Sequence, residues 1–597
     1  MTKSGNASVQ TRGGSFEEGL ANGQKLLAEH PGVALQQAQT LLRSGPEPRA
    51  LQLAAAALRR LGKHDEAEQA ELSAIKASFA IRELDAAAVA GNEGRAADSR
   101  AMLEGFLLRH PDNLLALTMA AELDIDAWHL ERAEQRLGAV LERAPKFLRA
   151  IMLFAKCLTN QGRLREAIRI VEGVLSRKPD NLTVLRNLGQ LHAEANDHEG
   201  AVKIYRRVLE LDPRELEMWI VYAQHLRMLG RKNEATAAFR RAIALNPNSG
   251  AAWWGLANFF PSDISEADVE AMEHAVPSVA DNPDDGGALH IALGTVADRR
   301  ADYAGAFRHI AQGKKLRARG HPSDPSAESA KVDELIRAFS PQRFADRGNG
   351  GHPDDSPIFI IGMPRSGTTL LERILNRHSL IEAAGELPIM PRLDERLRHE
   401  SGRSYEDRIA SLSAQELTTL GANYVGRSQD YRTSDKPRFV DKLNYNWSRV
   451  GLIRLMLPNA RIIDLRRDAL DCCWSNFKMM FAEGHAASND QRSIARFYRD
   501  YVRLVDAVDA AAPGGIFKVR YEELVDDVEA QTRRILGFLG LEFEAACLDF
   551  HLSTEAVATP SSEQVRRPIN RDSIGSAEPY RQWLGPMIEE LGELADA

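Results

Sequence analysis

Apolar and polar positions along the first half of this chain follow a helical period inside a longer repeat. Prolines return every 34 residues, at Pro111, Pro145, Pro179, Pro213 and Pro247. Ten residues after each proline stands a small residue, namely Ala121, Ala155, Gly189, Ala223 and Ala257. Twenty-two residues after the first four prolines stands an alanine: Ala133, Ala167, Ala201 and Ala235. Small residues at fixed positions let two helices approach closely, so the pattern predicts stacked helix pairs.

The repeat resembles the tetratricopeptide repeat, most closely over residues 179–212, where Gly189, Ala201 and Tyr205 take that family's places. Pro261 interrupts the register, and a further helix pair near residues 284–317 closes the array. We therefore expect an all-α solenoid over residues 15–318, with a groove that binds a protein or peptide partner. Considered alone, such repeats predict a binding scaffold and not a catalyst.

The second half opens with a different pattern. Ile358 to Ile361 form a short β-branched and aromatic run, which predicts a buried parallel strand. A glycine-bearing loop follows, and Leu370, Leu371 and Ile374 then share one face of a predicted helix. A strand, a loop and a helix N-terminus in this order favour anion binding, because free N–H groups and the helix dipole face the loop.

The loop departs from a nucleotide P-loop, G-x-x-x-x-G-K-[ST]. Gly362 and Gly367 have the correct spacing, but Thr368 stands where that motif has lysine. The remaining ligand groups are one guanidinium and three hydroxyls, on Arg365, Ser366, Thr368 and Thr369. The missing lysine disfavours an ATPase or kinase, and the donors present suit a phosphosulfate. The alternative is a tight strand-to-helix turn without a ligand.

Four later segments have a short strand pattern followed by a polar residue. Those residues are Glu386, Lys442, Arg467 and Tyr521, and Ser475 lies eight residues after Arg467. A carboxylate above the end of a parallel sheet is well placed as a general base. An arginine binds phosphate through two N–H groups, and a serine adds one donor. The plain alternatives are a solvated glutamate, a surface lysine and a core tyrosine.

Two further interpretations concern neighbouring charges. Ile462 to Asp464 could form a Walker-B strand for Mg²⁺, which Arg466, Arg467 and the missing P-loop lysine oppose. Three arginines of the helical region after Glu386, namely Arg392, Arg396 and Arg398, are expected on a solvated face, and the alternative is that they steer an acidic acceptor.

The Pro-Arg-Ser-Gly-Thr-Thr string from Pro364 resembles the 5′-phosphosulfate loop of sulfotransferases, and the later segments resemble the tyrosylprotein branch. The resemblance implies 3′-phosphoadenosine 5′-phosphosulfate as the sulfuryl donor, with no metal ion. It implies catalytic roles for Glu386 as base and for Arg365, Lys442 and Ser561 at the sulfuryl group. It implies donor binding by Arg365, Ser366, Gly367, Thr368, Thr369, Arg467, Ser475, Tyr521 and Arg566.

One position departs from those relatives. They carry a basic residue after a glycine near the C-terminus, whereas this chain reads Gly575-Ser576. A phosphate contact expected at Ser576 is therefore absent, and two outcomes stay open: Arg571 or Arg581 compensates for it, or the affinity for the donor is lower.

The resemblance also implies the domain organisation, since repeats before such a domain are a known bacterial arrangement. We expect a disordered N-terminus over residues 1–14, the solenoid, and a Pro- and Gly-rich linker over 319–356. A sulfotransferase domain is expected over 357–590, an α/β P-loop-like fold with a central parallel sheet, followed by a tail over 591–597.

Composition limits partners and compartment. The net charge of −8, from 76 basic and 84 acidic residues, disfavours a general nucleic-acid binder. The four cysteines show no C-x-x-C spacing, which indicates a reducing compartment and makes zinc improbable. The first residues are polar, and no apolar run is long enough to span a bilayer. We expect a cytoplasmic protein without a membrane anchor.

The sequence thus predicts a sulfotransferase that acts on a hydroxyl of a protein or peptide tyrosine, or of a glycan. Two alternatives stay open. One is a repeat scaffold with a catalytically inactive sulfotransferase-like domain, which the Ser576 departure favours. The other is a P-loop kinase, which would bind ATP with Mg²⁺ and which Thr368 opposes.

Overall fold

The computed structural model describes residues 15–399, 404–481, 485–552 and 569–596. The chain forms two compact units, Met1–Pro179 and Asp180–Ala597. The predicted disordered segment 1–14 and the predicted site residues Ser561 and Arg566 lie outside the described residues. The domain boundaries given above stay predictions.

The first unit consists of helices joined by short turns: α1 (Phe16–Leu26), α2 (Pro31–Leu41), α3 (Pro48–Arg60), α4 (His64–Ser78), α5 (Arg82–Asn92), α6 (Ala96–Arg109), α7 (Leu114–Asp126), α8 (Leu130–Arg143), α9 (Leu148–Asn160) and α10 (Leu164–Leu175). A 3₁₀ turn covers Leu42–Ser44. The small residues of the repeat pattern are buried where helices meet, as Ala121, Ala133 and Ala155 show. The helical repeats predicted from the 34-residue period are therefore confirmed here.

The second unit continues the helix pairs: α11 (Leu182–Glu194), α12 (His198–Leu211), α13 (Leu216–Met228), α14 (Lys232–Leu245), α15 (Gly250–Phe259), α16 (Glu266–Ala275), α17 (Asp285–Arg299) and α18 (Tyr303–Gly320). Gly189 of α11 faces the ring of Tyr205, and a Cβ at Gly189 would lie 2.3 Å from that ring. Pro261 lies in a 3₁₀ turn, Pro261–Asp263, where the regular pattern breaks. The predicted last pair is present as α17 and α18.

A left-handed residue sits in the turn inside several repeats. Positive φ angles recur 34 residues apart at Gly94, Trp128, Gly162, Asn196 and Gly230. Glycine takes this conformation without penalty, and asparagine tolerates it better than most other residues do. These repeats thus share the left-handed backbone conformation at this turn position, while the residue type at the position differs.

Between the repeats and the sheet, α19 (Pro325–Ala338) and α20 (Pro341–Asp346) lie within the predicted linker. A parallel sheet then forms the centre of the second unit, with the strand order β2-β3-β1-β4-β5 in the described chain. Its strands are β1 (Pro357–Ile361), β2 (Ile381–Ala383), β3 (Arg438–Asp441), β4 (Arg461–Arg466) and β5 (Ile516–Arg520). Every β1 residue is buried because β3 and β4 pair on its two sides. The predicted α/β fold is confirmed.

The described helices that follow β1 along the chain are α21 (Thr368–Asn376), α22 (Ile389–His399), α23 (Tyr405–Ser411), α24 (Ala414–Ser428), α25 (Val450–Met456), α26 (Ala469–Phe477), α27 (Gln491–Ala511), α28 (Tyr521–Asp526), α29 (Val528–Leu539) and α30 (Gly585–Leu591). Short 3₁₀ helices cover Val276–Val279, Asn444–Arg449, Ala486–Asn489, Ala545–Leu552, Glu578–Trp583 and Gly592–Asp596. Among the described helices, none combines the length and apolar character needed to cross a bilayer.

Candidate functional site

The carboxyl ends of all the described strands point to one edge of the sheet, and each is followed by a predicted site residue. Arg365 follows β1 and Glu386 follows β2. The other three strands, β3, β4 and β5, end directly before Lys442, Arg467 and Tyr521. Ligands of parallel α/β sheets bind at this edge. The topology therefore collects residues that are far apart in sequence.

The loop after β1 is held in an unusual backbone conformation. Arg365 has φ +67°, although it is not glycine, and Gly367 has φ +99°. A Cβ at Gly367 would lie 2.4 Å from Cδ2 of Tyr521, so the tyrosine ring packs directly on this glycine. A left-handed arginine costs about 1–2 kcal/mol and persists only where the surroundings enforce it.

Two buried donors in the loop region have no hydrogen-bond partner among the described residues. They are the Ser366 hydroxyl and Nε of Arg467. Buried polar groups normally find partners, and an unsatisfied one costs about 1–3 kcal/mol. These two donors, with the N-terminus of α21, fit an anionic ligand such as a phosphate or sulfate group.

Arg365, Arg467 and Ser475 are close to one another. Arg365 Nε lies 3.5 Å from Ser475 Oγ, and Arg467 Nη1 donates to the Arg365 carbonyl at 3.1 Å. Burial, and next the positive charge of Arg467, lower the pKa of Arg365 to about 10. An anionic ligand would relieve the repulsion between these two guanidinium groups.

Glu386 and Lys442 form the second polar cluster. Lys442 Nζ donates to Glu386 Oε1 at 2.5 Å, with the lysine side chain 1% exposed and the glutamate 39% exposed. Burial lowers the pKa of Lys442, but the charges of Glu386 and Glu372 outweigh it, so the pKa is raised overall. The ammonium is fixed inside the protein, and the carboxylate reaches solvent.

A buried network fixes the backbone that carries Lys442. Asp441 accepts hydrogen bonds from Tyr424 at 2.8 Å and from the Leu443 amide at 3.2 Å. Burial raises the pKa of Asp441 to about 7, although its hydrogen bonds act in the opposite direction. Next to it, Thr368 Oγ1 donates to Asn444 Oδ1 at 2.8 Å. This contact joins the loop after β3 to the start of α21.

The segment around Ser576 covers Arg467. Ser576 Oγ accepts from Arg467 Nη2 at 3.0 Å, and the Asp471 carboxylate binds the Gly575 amide at 2.7 Å. The Ser573 carbonyl also accepts from Arg467. The segment around Ser576 therefore contacts Arg467 through a serine hydroxyl and a backbone carbonyl.

The two arginines suggested as compensation lie elsewhere. Arg571 pairs with Asp526 at 2.7 Å, and Arg581 pairs with Asp596 at 3.1 Å. Neither lines the cavity described next.

A cavity of about 710 Å³ lies at the carboxyl edge of the sheet. Most of the predicted site residues line it: Arg365, Gly367, Thr368, Thr369, Glu386, Arg467, Ser475 and Tyr521. Ser366 and Lys442 are not part of its lining but contact or adjoin residues that are. The structure therefore brings the described part of the predicted site together.

The helical repeats form another side of the same cavity. We call these residues the repeat wall: Lys232, Asn258, Phe259, Phe260, Pro261, Ser262, Thr295, Asp298, Arg299 and Ile310. Sequence reasoning missed this wall. The sequence signal for it was the register break at Pro261, because a turn that does not pack in the regular repeat can instead line a binding site.

Asp298 connects the repeat wall to the side of the cavity that the sheet forms. It pairs with Lys478 at 3.4 Å and also accepts a hydrogen bond from the Tyr580 hydroxyl. Burial lowers the pKa of Lys478, and the charge of Asp298 opposes that shift. Lys478 also lines the cavity, so a repeat helix supplies the counter-ion of a site cation.

The structure bears on two earlier interpretations, the solvated face expected for the arginines after Glu386 and the Walker-B strand that ends at Asp464. Arg392 is not on a solvated face: it is half-buried and pairs with Glu194 at 2.8 Å, and Arg398 pairs with Asp394 at 3.3 Å. Asp464 is fully buried against Tyr501 and Arg466, which leaves its carboxylate engaged by protein donors. Within the described residues, no group of three or more His, Cys, Asp or Glu side chains could hold a metal ion.

Comparison with known proteins gives the class of each half. The sulfotransferase family model matches residues 357–545. The tetratricopeptide repeat model matches residues 129–191, 158–224 and 192–258. The chain thus combines tetratricopeptide repeats in its first half with a sulfotransferase-family domain in its second.

Individual relatives agree with this division. An uncharacterized protein of Aquifex aeolicus is 29% identical over 409 residues, which cover 67% of this chain and 53% of that protein. Protein-tyrosine sulfotransferase A of Caenorhabditis elegans is 26% identical over 41% of this chain and 66% of its own length. Protein-tyrosine sulfotransferase 1 of Danio rerio is 23% identical over 38% of this chain and 65% of its own length. The chain spans about half to two thirds of these relatives.

Proposed function

We propose that this chain transfers a sulfuryl group from 3′-phosphoadenosine 5′-phosphosulfate to a hydroxyl acceptor. One observation carries the proposal: one cavity joins the Arg365 loop, the Arg467–Ser475 pair and the Glu386 carboxylate. The sulfotransferase family match is its second support.

The donor's anionic groups match the cations and free donors of the site. Arg365, Ser366 and the N-terminus of α21 would hold the 5′-phosphosulfate. Arg467 and Ser475 would hold the 3′-phosphate, with Lys478 as an additional cation. Tyr521 packs on Gly367 and lines the cavity, so its ring is available to the nucleoside. Ser561 and Arg566 belong to this proposal through the resemblance alone.

When bound, the donor supplies an activated sulfuryl group, whose bond to phosphate breaks as a bond to the acceptor oxygen forms. Glu386 accepts the proton of the acceptor hydroxyl, since its carboxylate is exposed to the cavity. Lys442, fixed by burial and by Glu386, places a positive charge where negative charge develops on the leaving oxygen. Arg365 adds a second cation at the same place.

The acceptor enters against the repeat wall. Phe259, Phe260 and Pro261 present apolar edges to the cavity, and Arg299 adds an exposed cation. This composition suits an aromatic hydroxyl with a negative charge nearby. Since two relatives are named protein-tyrosine sulfotransferases, we propose a protein or peptide tyrosine as the acceptor. A glycan hydroxyl is the competing acceptor, and the tetratricopeptide repeats would bind the rest of the acceptor or a partner protein.

All four cysteines are buried and unpaired, which supports a reducing compartment such as the cytoplasm. A cytoplasmic location is therefore part of the proposal.

Calorimetric titration tests the donor site. We expect wild-type protein to bind 3′-phosphoadenosine 5′-phosphate in preference to ATP with Mg²⁺. Arg467→Ala should weaken that binding by about 10- to 100-fold, because a phosphate loses a charged two-point contact. Arg571→Ala is the matched control, since Arg571 pairs with Asp526 outside the cavity. Transfer of radiolabel from the donor to a tyrosine peptide, a phenol or a glycan then identifies the acceptor.

The other outcomes decide between the alternatives. Binding of ATP alone would replace the proposal with a kinase. Binding of neither nucleotide would leave a repeat scaffold with an inactive domain, in agreement with the Ser576 departure.

A further inference from the structure

The turn between α11 and α12 touches the loop that carries Glu386. Asn196 Nδ2 donates to the Ala384 carbonyl at 3.2 Å. Gly385, with φ +79°, lies against the same side chain, and a Cβ there would be 3.1 Å from Asn196 Nδ2. The residue before Glu386 thus lies directly beside a repeat turn, with no room for a side chain between them.

The sheet holds the opposite side of this loop. The Ala384 amide donates to the Val440 carbonyl at 3.0 Å, and the Lys442 amide donates to the Gly385 carbonyl at 2.8 Å. The two carbonyls that precede Glu386 therefore accept hydrogen bonds from different parts of the chain. One comes from the strand region of Lys442 and the other from Asn196.

The repeat itself shows that Asn196 is an addition to the turn. Its equivalents 34 residues away on either side are Gly162 and Gly230, and all three have positive φ. Asparagine keeps this backbone at low cost and adds an amide that glycine lacks. Replacement by glycine would thus remove the contact without disturbing the turn.

Hydrogen bonds stabilise the turn between α11 and α12, which contacts the loop of Glu386. His192 Nδ1 lies 2.8 Å from the Asp197 carboxylate, which also accepts the Gly200 amide at 2.9 Å and so caps α12. Glu194, the last residue of α11 before this turn, pairs with Arg392 of α22 at 2.8 Å. Asn196 is therefore flanked by a second connection to the segment that follows Glu386.

From these contacts we propose that Asn196 is a positioning residue, which orients the Glu386 carboxylate towards Lys442 and the acceptor by fixing Ala384 and Gly385. The assignment rests on the proposed sulfuryl transfer. Asn196 does not line the cavity, so its loss leaves donor and acceptor binding intact and lowers the rate of the transfer step.

Asn196→Gly in the full chain is the test, assayed with labelled donor and the tyrosine peptide or phenol that the wild type sulfates. We expect kcat to fall by about 10-fold, with KM and the affinity for 3′-phosphoadenosine 5′-phosphate unchanged within about two-fold. Asn196→Asp, which keeps the shape but cannot donate, should lose as much. Ala301→Gly is the control, because Ala301 is an exposed, positive-φ residue in the turn between α17 and α18.

A second background separates positioning from general destabilisation. In Glu386→Gln protein no base remains to be oriented, so Asn196→Gly should have no further effect there. If Asn196→Gly lowered kcat equally in the wild-type and Glu386→Gln backgrounds, or left kcat of the single variant unchanged, the role of Asn196 would be contradicted. The proposed function would not be affected by either result. If the wild type neither binds the bisphosphate nor transfers label, the proposed function fails first and the assignment falls with it.

Discussion

The two sides of the cavity are built by opposite means. The transferase side, by which we mean the cavity residues of the sulfotransferase-family domain, has Arg365, Glu386 and Arg467 within four residues of the ends of parallel strands, so the hydrogen-bonded core of the sheet fixes their positions. The repeat wall consists of helix ends and one irregular turn, on elements whose main task is to pack against each other. The transferase side is suited to a reaction that is the same for every acceptor. The repeat wall is suited to binding acceptors that differ.

This difference predicts how substitutions divide. Changes on the transferase side should affect donor binding or the chemical step whatever the acceptor. Changes on the repeat wall, apart from Asp298, which pairs with the site cation Lys478, should alter acceptor preference and leave donor binding unchanged. The experiments below are ordered from the largest expected effect to the smallest.

Glu386→Gln is expected to give the largest loss. An amide cannot take the hydroxyl proton, so kcat should fall by about 10²- to 10⁴-fold while bisphosphate affinity stays the same. Initial rates with labelled donor and calorimetry with the bisphosphate measure the two quantities. Retained turnover would remove Glu386 from the chemistry.

Gly367→Ala should damage the donor side through its backbone and its neighbour together. The new Cβ would meet Tyr521 at 2.4 Å at a φ of +99°, so we expect at least about 10-fold weaker bisphosphate binding. Gly540→Ala is the matched control, with φ +70° and nothing within 4 Å of the new Cβ. The control should lower Tm without changing bisphosphate affinity; equal affinity losses in both would contradict the role of the loop.

Arg299→Ala addresses the repeat wall alone. We expect KM for an acidic tyrosine peptide to rise by about 3- to 10-fold, because an exposed cation is lost near the acceptor. KM for a neutral phenol and affinity for the bisphosphate should not change. If Arg299→Ala instead weakened bisphosphate binding, Arg299 would belong to the donor site, and the separation between donor and acceptor effects would be contradicted.

The smallest effect is a pH dependence of donor affinity. Arg365 binds an anion only when protonated, and burial with the Arg467 charge lowers its pKa to about 10. Donor affinity should therefore have its full value at neutral pH and fall by about two-fold between about pH 8 and about pH 10, as pH rises to that pKa. Calorimetry across this range, with Tm recorded as a control, measures it; affinity that rises with pH would contradict the assignment.

The sequence could predict the transferase side because its signals are local. A run such as Ile358 to Ile361 identifies a buried strand, and the next polar residue then lies at the sheet edge. The same logic located Glu386, Lys442 and Arg467. Likewise, the 34-residue period predicted the helix pairs, because each pair must bury the same small residues.

Apart from the register break at Pro261, the contacts that the repeats make with the sheet domain could not be predicted, because they join residues that are distant in sequence. Asn196 and Ala384 are 188 residues apart, and Lys478 and Asp298 are 180 apart. Nothing near Asp298 distinguishes it from a solvated helix end. Arg392 was expected in solvent for the same reason, since its partner Glu194 belongs to another domain pattern.

The recurring left-handed turn residue has a consequence for how such proteins diversify. Gly94, Trp128, Gly162, Asn196 and Gly230 share one backbone geometry while differing in side chain. A single codon change at such a position introduces a new functional group without rebuilding the fold around it. Gly230 has this backbone geometry and stands two residues before Lys232 of the repeat wall, so a side chain can be added there next to that wall in sequence.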